Sequence, residues 1–168
     1  MTKFNGFDFY DKKQVVLTNG MPSAYVNAAS ETKITSVYVP ANTFTAGDIL
    51  HIEWRFRLTG STSSTNTTRL YWNETDDLTT PIQLTTRGLN NTTIFYGQNR
   101  RLSIEVSNGT GNGSKIYGVA SQLDSDFGAA TFVLSTVALN WTVDSYIIFA
   151  GFCGVGTGIR TEFLKVSN

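Results

Sequence analysis

The sequence predicts an all-β fold, an antiparallel β-sandwich of jelly-roll-like form, and three observations predict it. Within residues 48–59, DILHIEWRFRLT, apolar and polar side chains alternate strictly from Leu50 to Thr59. Threonine, serine and asparagine number 24, 14 and 13 of 168 residues, while charged residues make up only 15%, against roughly 25% in an average soluble domain. Turn-forming clusters separate nearly every apolar stretch, and none of the stretches carries helical periodicity. Threonine suits a pleated surface because its β-branch is stiff, and short Asn and Ser side chains bond the local backbone in turns.

The elements follow in chain order. MTKFNGFDFYDKK alternates polar and aromatic residues and lacks the apolar stretch of a signal peptide. Residues 1–13 therefore read as an N-terminal arm, with Phe4, Phe7, Phe9 and Tyr10 available for docking, ahead of a single domain over 14–168. Gln14–Thr18 and Lys33–Val39 fit strands. In 48–59, Leu50, Ile52, Trp54, Phe56 and Leu58 take one side and His51, Glu53, Arg55 and Arg57 the other. Successive side chains of a strand face opposite ways, whereas a helix would scatter the five apolar residues around its circumference. Further strands are predicted over Thr68–Asn73, Pro81–Thr85, Arg101–Ser107, Lys115–Ser121, Thr131–Leu139 and Glu162–Val166. Gly60–Asn66, Glu74–Pro81, Asn108–Gly113 and Asp124–Gly128 read as turns, the Asn-Gly pairs suiting positive φ. Tyr146–Cys153, YIIFAGFC, is apolar on both faces, which predicts either a central strand or one at a subunit interface. The glycines of GFCGVGTG predict a bulge or loop before the last strand.

Composition argues against several functions. Thirteen basic and thirteen acidic residues cancel, leaving no general attraction to phosphate backbones or anionic membranes. The longest basic runs are Lys12-Lys13 and Arg100-Arg101. The apolar run Tyr146–Gly156 falls well short of the ~20 residues of a spanning helix. Neither nucleic acid nor membrane is expected as a partner. The lone Cys153 has no partner for an internal disulfide and reads as a buried thiol, a pattern that favours synthesis in a reducing cytoplasm. Seven Asn-X-Ser/Thr triplets, at Asn66, Asn73, Asn90, Asn91, Asn108, Asn112 and Asn140, are explained by loops crowded with these residue types.

The single histidine, His51, lies on the polar side of the strongest strand beside Glu53, and no G-x-S-x-G elbow presents a serine to it. The carboxylate pairs Asp76-Asp77 and Asp124/Asp126 sit in turn-rich segments, where aspartate serves the backbone. DSDFG lacks the ligands that would complete a calcium loop of the EF-hand type. The chain is thus expected to be no enzyme, with no catalytic, metal or cofactor-binding residues and no cofactor. Trp54 and Trp72 fall on core-facing positions, leaving Tyr71 and Trp141 as the freer aromatics for stacking on a sugar.

Val37–Thr75, VYVPANTFTAGDILHIEWRFRLTGSTSSTNTTRLYWNET, resembles surface proteins of tailed-bacteriophage virions, in which an "IPANT…GD" segment leads into a long alternating strand and an "R-x-Y-x-N" strand comes after a polar loop. VALNWTVDSYIIFAG resembles the penultimate strand pair of the same proteins. The resemblance covers about half the chain and implies a jelly-roll or related sandwich that trimerises as a capsid decoration protein, head fibre or tail-fibre tip. With no heptads, collagen-like triplets or repetitive shaft, a compact decoration protein or knob is expected rather than a whole fibre. A homotrimer is also expected from the strand that is apolar on both faces and from 3 Trp, 7 Tyr and 11 Phe in a small domain. The expected partners are further copies of the chain, capsid or tail proteins of one particle and, in the alternative reading as a receptor- or carbohydrate-binding module, a host surface glycan. The expected location is the virion surface, after synthesis in the host cytoplasm.

Overall fold

The computed structural model describes residues 3–4, 7–8, 14–60, 65–90, 95–107, 114–119, 132–154 and 156–168. Within them every regular element is a strand and every pairing is antiparallel. The strands are β1 (Lys3–Phe4), β2 (Phe7–Asp8), β3 (Val16–Asn19), β4 (Thr32–Val39), β5 (Ile49–Thr59), β6 (Thr65–Asn73), β7 (Ile82–Asn90), β8 (Phe95–Glu105), β9 (Ser114–Val119), β10 (Phe132–Val137), β11 (Ser145–Phe152) and β12 (Gly158–Ser167). Among the described residues β1 and β2, in the predicted arm, pair only with each other. The others form a six-stranded sheet in the order β10-β9-β8-β5-β12-β3 and a four-stranded sheet in the order β4-β11-β6-β7. The protein is a β-sandwich.

The predicted alternating strand is the spine of the large sheet. β5 pairs with β8 from Ile49↔Glu105 to Thr59↔Phe95 and with β12 from Thr59↔Gly158 to His51↔Ser167. Leu50, Ile52, Phe56 and Leu58 are fully buried and Trp54 nearly so. They meet Ile147 and Phe149 of β11, Leu70 and Trp72 of β6, and Val37 and Val39 of β4 in one continuous core. Phe56 and Phe149 stack across the sandwich, centroids 5.7 Å apart and planes at 30°. Offset stacking of this kind adds about 0.5–1.5 kcal/mol to the burial of two large rings.

Departures from simple alternation have local causes. In β12 the buried Ile159 and Leu164 lie five residues apart, an odd spacing that would put them on opposite faces of a regular strand. A bulge between Thr161 and Phe163 absorbs the extra residue and returns Leu164 and Val166 to the core. Gly20 and Pro22 end β3, since proline has no N–H for a ladder. The chain nevertheless keeps to the same edge of β12, through Ser23 N–H to Thr161 O and reciprocal bonds between Val26 and Ile159.

Tyr146–Cys153 forms a central strand, the first of the two alternatives open from the sequence: β11 lies between β4 and β6. Its core-facing side is Ile147 and Phe149. The other side, Ile148 and Ala150, is covered by Tyr71, Leu78 and Tyr146 of the same chain. The small sheet needs no second subunit to bury this strand. Cys153, just beyond, is buried and gives its thiol to the Thr157 carbonyl at 2.8 Å.

Pro40–Asp48 closes one end of the sandwich. Phe44 packs edge-on to Trp141, centroids 5.9 Å apart, both buried. Asp48 Oδ2 accepts the Thr45 N–H at 2.8 Å and its hydroxyl at 3.1 Å, and Asn42 holds the positive φ of the turn. At the other end Gly60 has φ +97°, and a Cβ there would sit 1.9 Å from the Gly156 carbonyl oxygen.

Truncating either stacked ring, Phe56→Ala or Phe149→Ala, is expected to cost about 3–5 kcal/mol in urea unfolding. Gly60→Ala is expected to cost more than about 1 kcal/mol, because it meets both a forbidden φ and an occupied volume. A loss under half of these values would place the core elsewhere.

Candidate functional site

The two outer faces of the sandwich differ in kind. That of the small sheet is largely closed by its own residues. The Tyr71 hydroxyl lies against the Glu31–Arg69 ion pair, whose atoms are 2.8 Å apart, and burial together with Glu31 pushes the phenol up to about 12. Arg69 in turn lies over the Phe152 ring at 5.6 Å. Tyr71, expected to be one of the freer aromatics, is instead 7% exposed. Trp141, the other, is 5% exposed and donates its indole N–H to the buried Ser114 hydroxyl at 2.9 Å. Both depart from expectation for one reason: each has a polar handle that a neighbouring chain segment satisfies, which single-strand alternation does not reveal. Trp54 and Trp72 are in the core, as expected. On this face Tyr38 is 46% exposed, beside Tyr146 at 5.4 Å, and its bond to Asp144 raises the phenol above its ordinary value.

The segment from Asn73 to Thr80 explains the first carboxylate pair. The buried Asn73 amide donates to Thr75 Oγ1 at 3.1 Å, to the Asp77 carbonyl at 3.0 Å and to the Thr79 carbonyl at 3.1 Å. Asp77 Oδ1 accepts the Thr79 N–H at 2.7 Å and the Thr75 hydroxyl at 3.0 Å, and these bonds hold its carboxyl below the usual range. Asp76 takes the Lys33 ammonium at 2.7 Å and the Ser36 hydroxyl at 2.5 Å. The two aspartates thus serve different neighbours. Asp124 and Asp126 lie outside the described residues, and among the described residues no group of His, Cys, Asp and Glu is placed to hold a metal ion.

Of the Asn-X-Ser/Thr triplets, Asn66 and Asn73 are buried. Asn66 Oδ1 accepts the Gly154 N–H at 3.3 Å. Asn140 is exposed, its Oδ1 taking the Thr142 N–H and hydroxyl. The side chains of Asn90, Asn91, Asn108 and Asn112 lie outside the described residues.

The outer face of the large sheet is open and charged. Register places its outward residues in cross-strand rows over β12, β5 and β8: Arg160, Arg57 and Gly97; Phe163, Arg55 and Asn99; Lys165, Glu53 and Arg101; Ser167, His51 and Ser103. Rows are about 7 Å apart and strands about 4.8 Å apart. In the first three rows five cations stand against Glu53 and the bulge residue Glu162. Glu162 takes Arg160 at 2.8 Å and Arg57 at 3.5 Å. Glu53 takes Lys165 at 3.4 Å and Arg101 at 3.8 Å. Arg55 binds Asn99 Oδ1 at 2.5 Å and lies over Phe163 at 5.7 Å, with no carboxylate in reach among the described residues. His51, in the fourth row, sits 3.0 Å from the Ser103 hydroxyl. Burial, then the nearby Arg101, hold its imidazole below the ordinary 6.5.

The sequence marked Arg55, Arg57, Glu53 and His51 as one polar side of a strand. It held no sign that Arg101, Arg160 and Lys165 stand beside them, because cross-strand register is a long-range property. The chain matches no protein-family model, and no curated protein or solved structure matches it significantly.

Asn73→Ala removes the bonds that hold the Asn73–Thr80 segment and is expected to cost about 0.5–1.5 kcal/mol by urea unfolding. For His51, the depressed native value means that the unfolded chain binds more protons than the native one as pH drops below 6.5. Stability therefore falls in that window. Thermal melts at pH 7.5 and 5.5 should show a drop in Tm that His51→Gln diminishes; an equal drop in both proteins would contradict the assignment.

Proposed function

We propose that the chain is a non-enzymatic structural protein of a bacteriophage virion surface, a capsid decoration protein or fibre knob that works as a homotrimer. The observation that carries this reading is strand order. The order β3-β12-β5-β8 in one sheet and β4-β11-β6-β7 in the other, with β9 and β10 added at the β8 edge, supports a jelly-roll reading of the sandwich, an architecture that recurs in viral capsid and lectin domains. The resemblance of Val37–Thr75 to phage surface proteins points the same way. The aspartates of the Asn73–Thr80 segment and Asp48 are taken up in holding loops, a use of polar groups suited to a durable shell component. The buried second face of β11 lends no support to trimerisation. What supports it is apolar exposure at the β3 edge, where Val16 is 49% and Met21 78% exposed.

Light scattering at micromolar concentration is expected to give three times the 18.4 kDa chain mass; a clean single-chain species would overturn the trimer. Labelled antibody against the chain is expected to decorate intact particles in electron micrographs. Removing residues 1–13 should abolish attachment to particles while leaving the β-sheet circular dichroism unchanged, and undiminished attachment would refute a docking role for the arm.

A further inference from the structure

The charged face of β12, β5 and β8 has no part in the assembly reading, and its geometry is that of a ligand surface. Gly97 has no side chain where its row-mates Arg57 and Arg160 carry guanidinium groups. A Cβ there would meet nothing closer than the Phe56 carbonyl at 3.5 Å, so the space above it is empty for want of a side chain and not for want of room. The result is a trough of about 290 Å³ whose lining includes Arg55, Arg57, Asn99 and Glu162. It shares Asn99 with a second trough of about 250 Å³ beside Glu53, Arg101 and Phe163. The first approaches the size at which ordinary ligand clefts begin, near ~300 Å³.

Among the described residues of its first three rows, five cations stand against two carboxylates although the chain as a whole is neutral. Arg55 meets no carboxylate among the described residues, and the Arg57 side chain is 51% exposed, sharing Glu162 with the closer Arg160. Two planar forks beside an open floor are suited to a carboxylate, which guanidinium groups grip in two-point fashion. The second carboxylate, Glu53, and the bulge residue Glu162 would repel a continuous polyphosphate strand. An extended peptide finds no unpaired strand edge here, because β5 is bonded on both sides. A sugar acid suits the remaining chemistry: its carboxylate for the arginines and its hydroxyls for Asn99 and the acidic groups.

We propose that this trough binds carboxylate-bearing sugars, as units of an acidic polysaccharide, through Arg55 and Arg57. Such binding is independent of whether the chain sits on a particle.

The test is calorimetric titration of the whole chain with oligogalacturonate and with sialyllactose, each beside its uncharged counterpart, the methyl ester and lactose. At least one acidic probe should bind, and its neutral counterpart at least about tenfold more weakly. Arg55→Gln and Arg57→Gln should each weaken binding by about tenfold, and raised salt should weaken it further. Gly97→Leu, which fills the floor without changing charge, should abolish it, with near-ultraviolet circular dichroism retained in all three variants. The proposal is overturned if neither acidic probe binds up to millimolar concentration, or if the neutral counterparts bind as well. It is also overturned if folded Arg and Gly97 variants bind unchanged, or if polyglutamate or an oligothymidylate binds as tightly as the sugar.

Discussion

The contact between the apolar side of β5 and that of β11 is the constraint on which the structure depends. Each sheet alone would leave a wide apolar surface in water. Burying a side chain such as Leu50, Phe56, Ile147 or Phe149 is worth about 1.5–3 kcal/mol, and the stacked Phe56 and Phe149 set where the two sheets meet. Because successive strand residues point opposite ways, placing Leu50, Ile52, Trp54, Phe56 and Leu58 inward forces His51, Glu53, Arg55 and Arg57 outward. The core and the charged face are therefore one decision of register.

The two outer faces meet that constraint with different residues. On the small sheet, β11 carries Ile148 and Ala150 outward, and the chain supplies a local lid in Leu78, Tyr71 and Tyr146. Its polar groups are spent on fastening that lid and the loop beside it, through Asn73, Asp76 and Asp77. On the large sheet the outward residues of β12, β5 and β8 are mostly charged or polar, which water covers adequately, so no lid is required. An open sheet face with a glycine gap is left free to meet a ligand, whereas a lidded one is not.

The loop between β4 and β5 has a plain physical role. Pro40–Asp48 is an end plug: Phe44 enters the core beside Trp141, and Asp48 locks the turn by accepting two bonds from Thr45. Its side chains close the end of the sandwich, and what they fix is architecture.

What the sequence determined by itself is the set of strands with local signatures. β5 was legible because the ten residues Leu50–Thr59 alternate strictly, and the neighbourhood of β11 because a run apolar on both sides must be covered twice. Less was legible where the signal is not local. Phe95–Arg100, the first half of β8, lacks alternation, and it is a strand because β5 offers it a partner along its whole length. The first residues of β12 were missed because a bulge breaks their period. Tertiary structure alone decided that Tyr71 and Trp141 are buried, by bringing Glu31 and Ser114 to their polar ends, and that five cations from three distant segments share one face. Alternation states which side of a strand a residue takes, and only pairing between remote segments states what stands next to it.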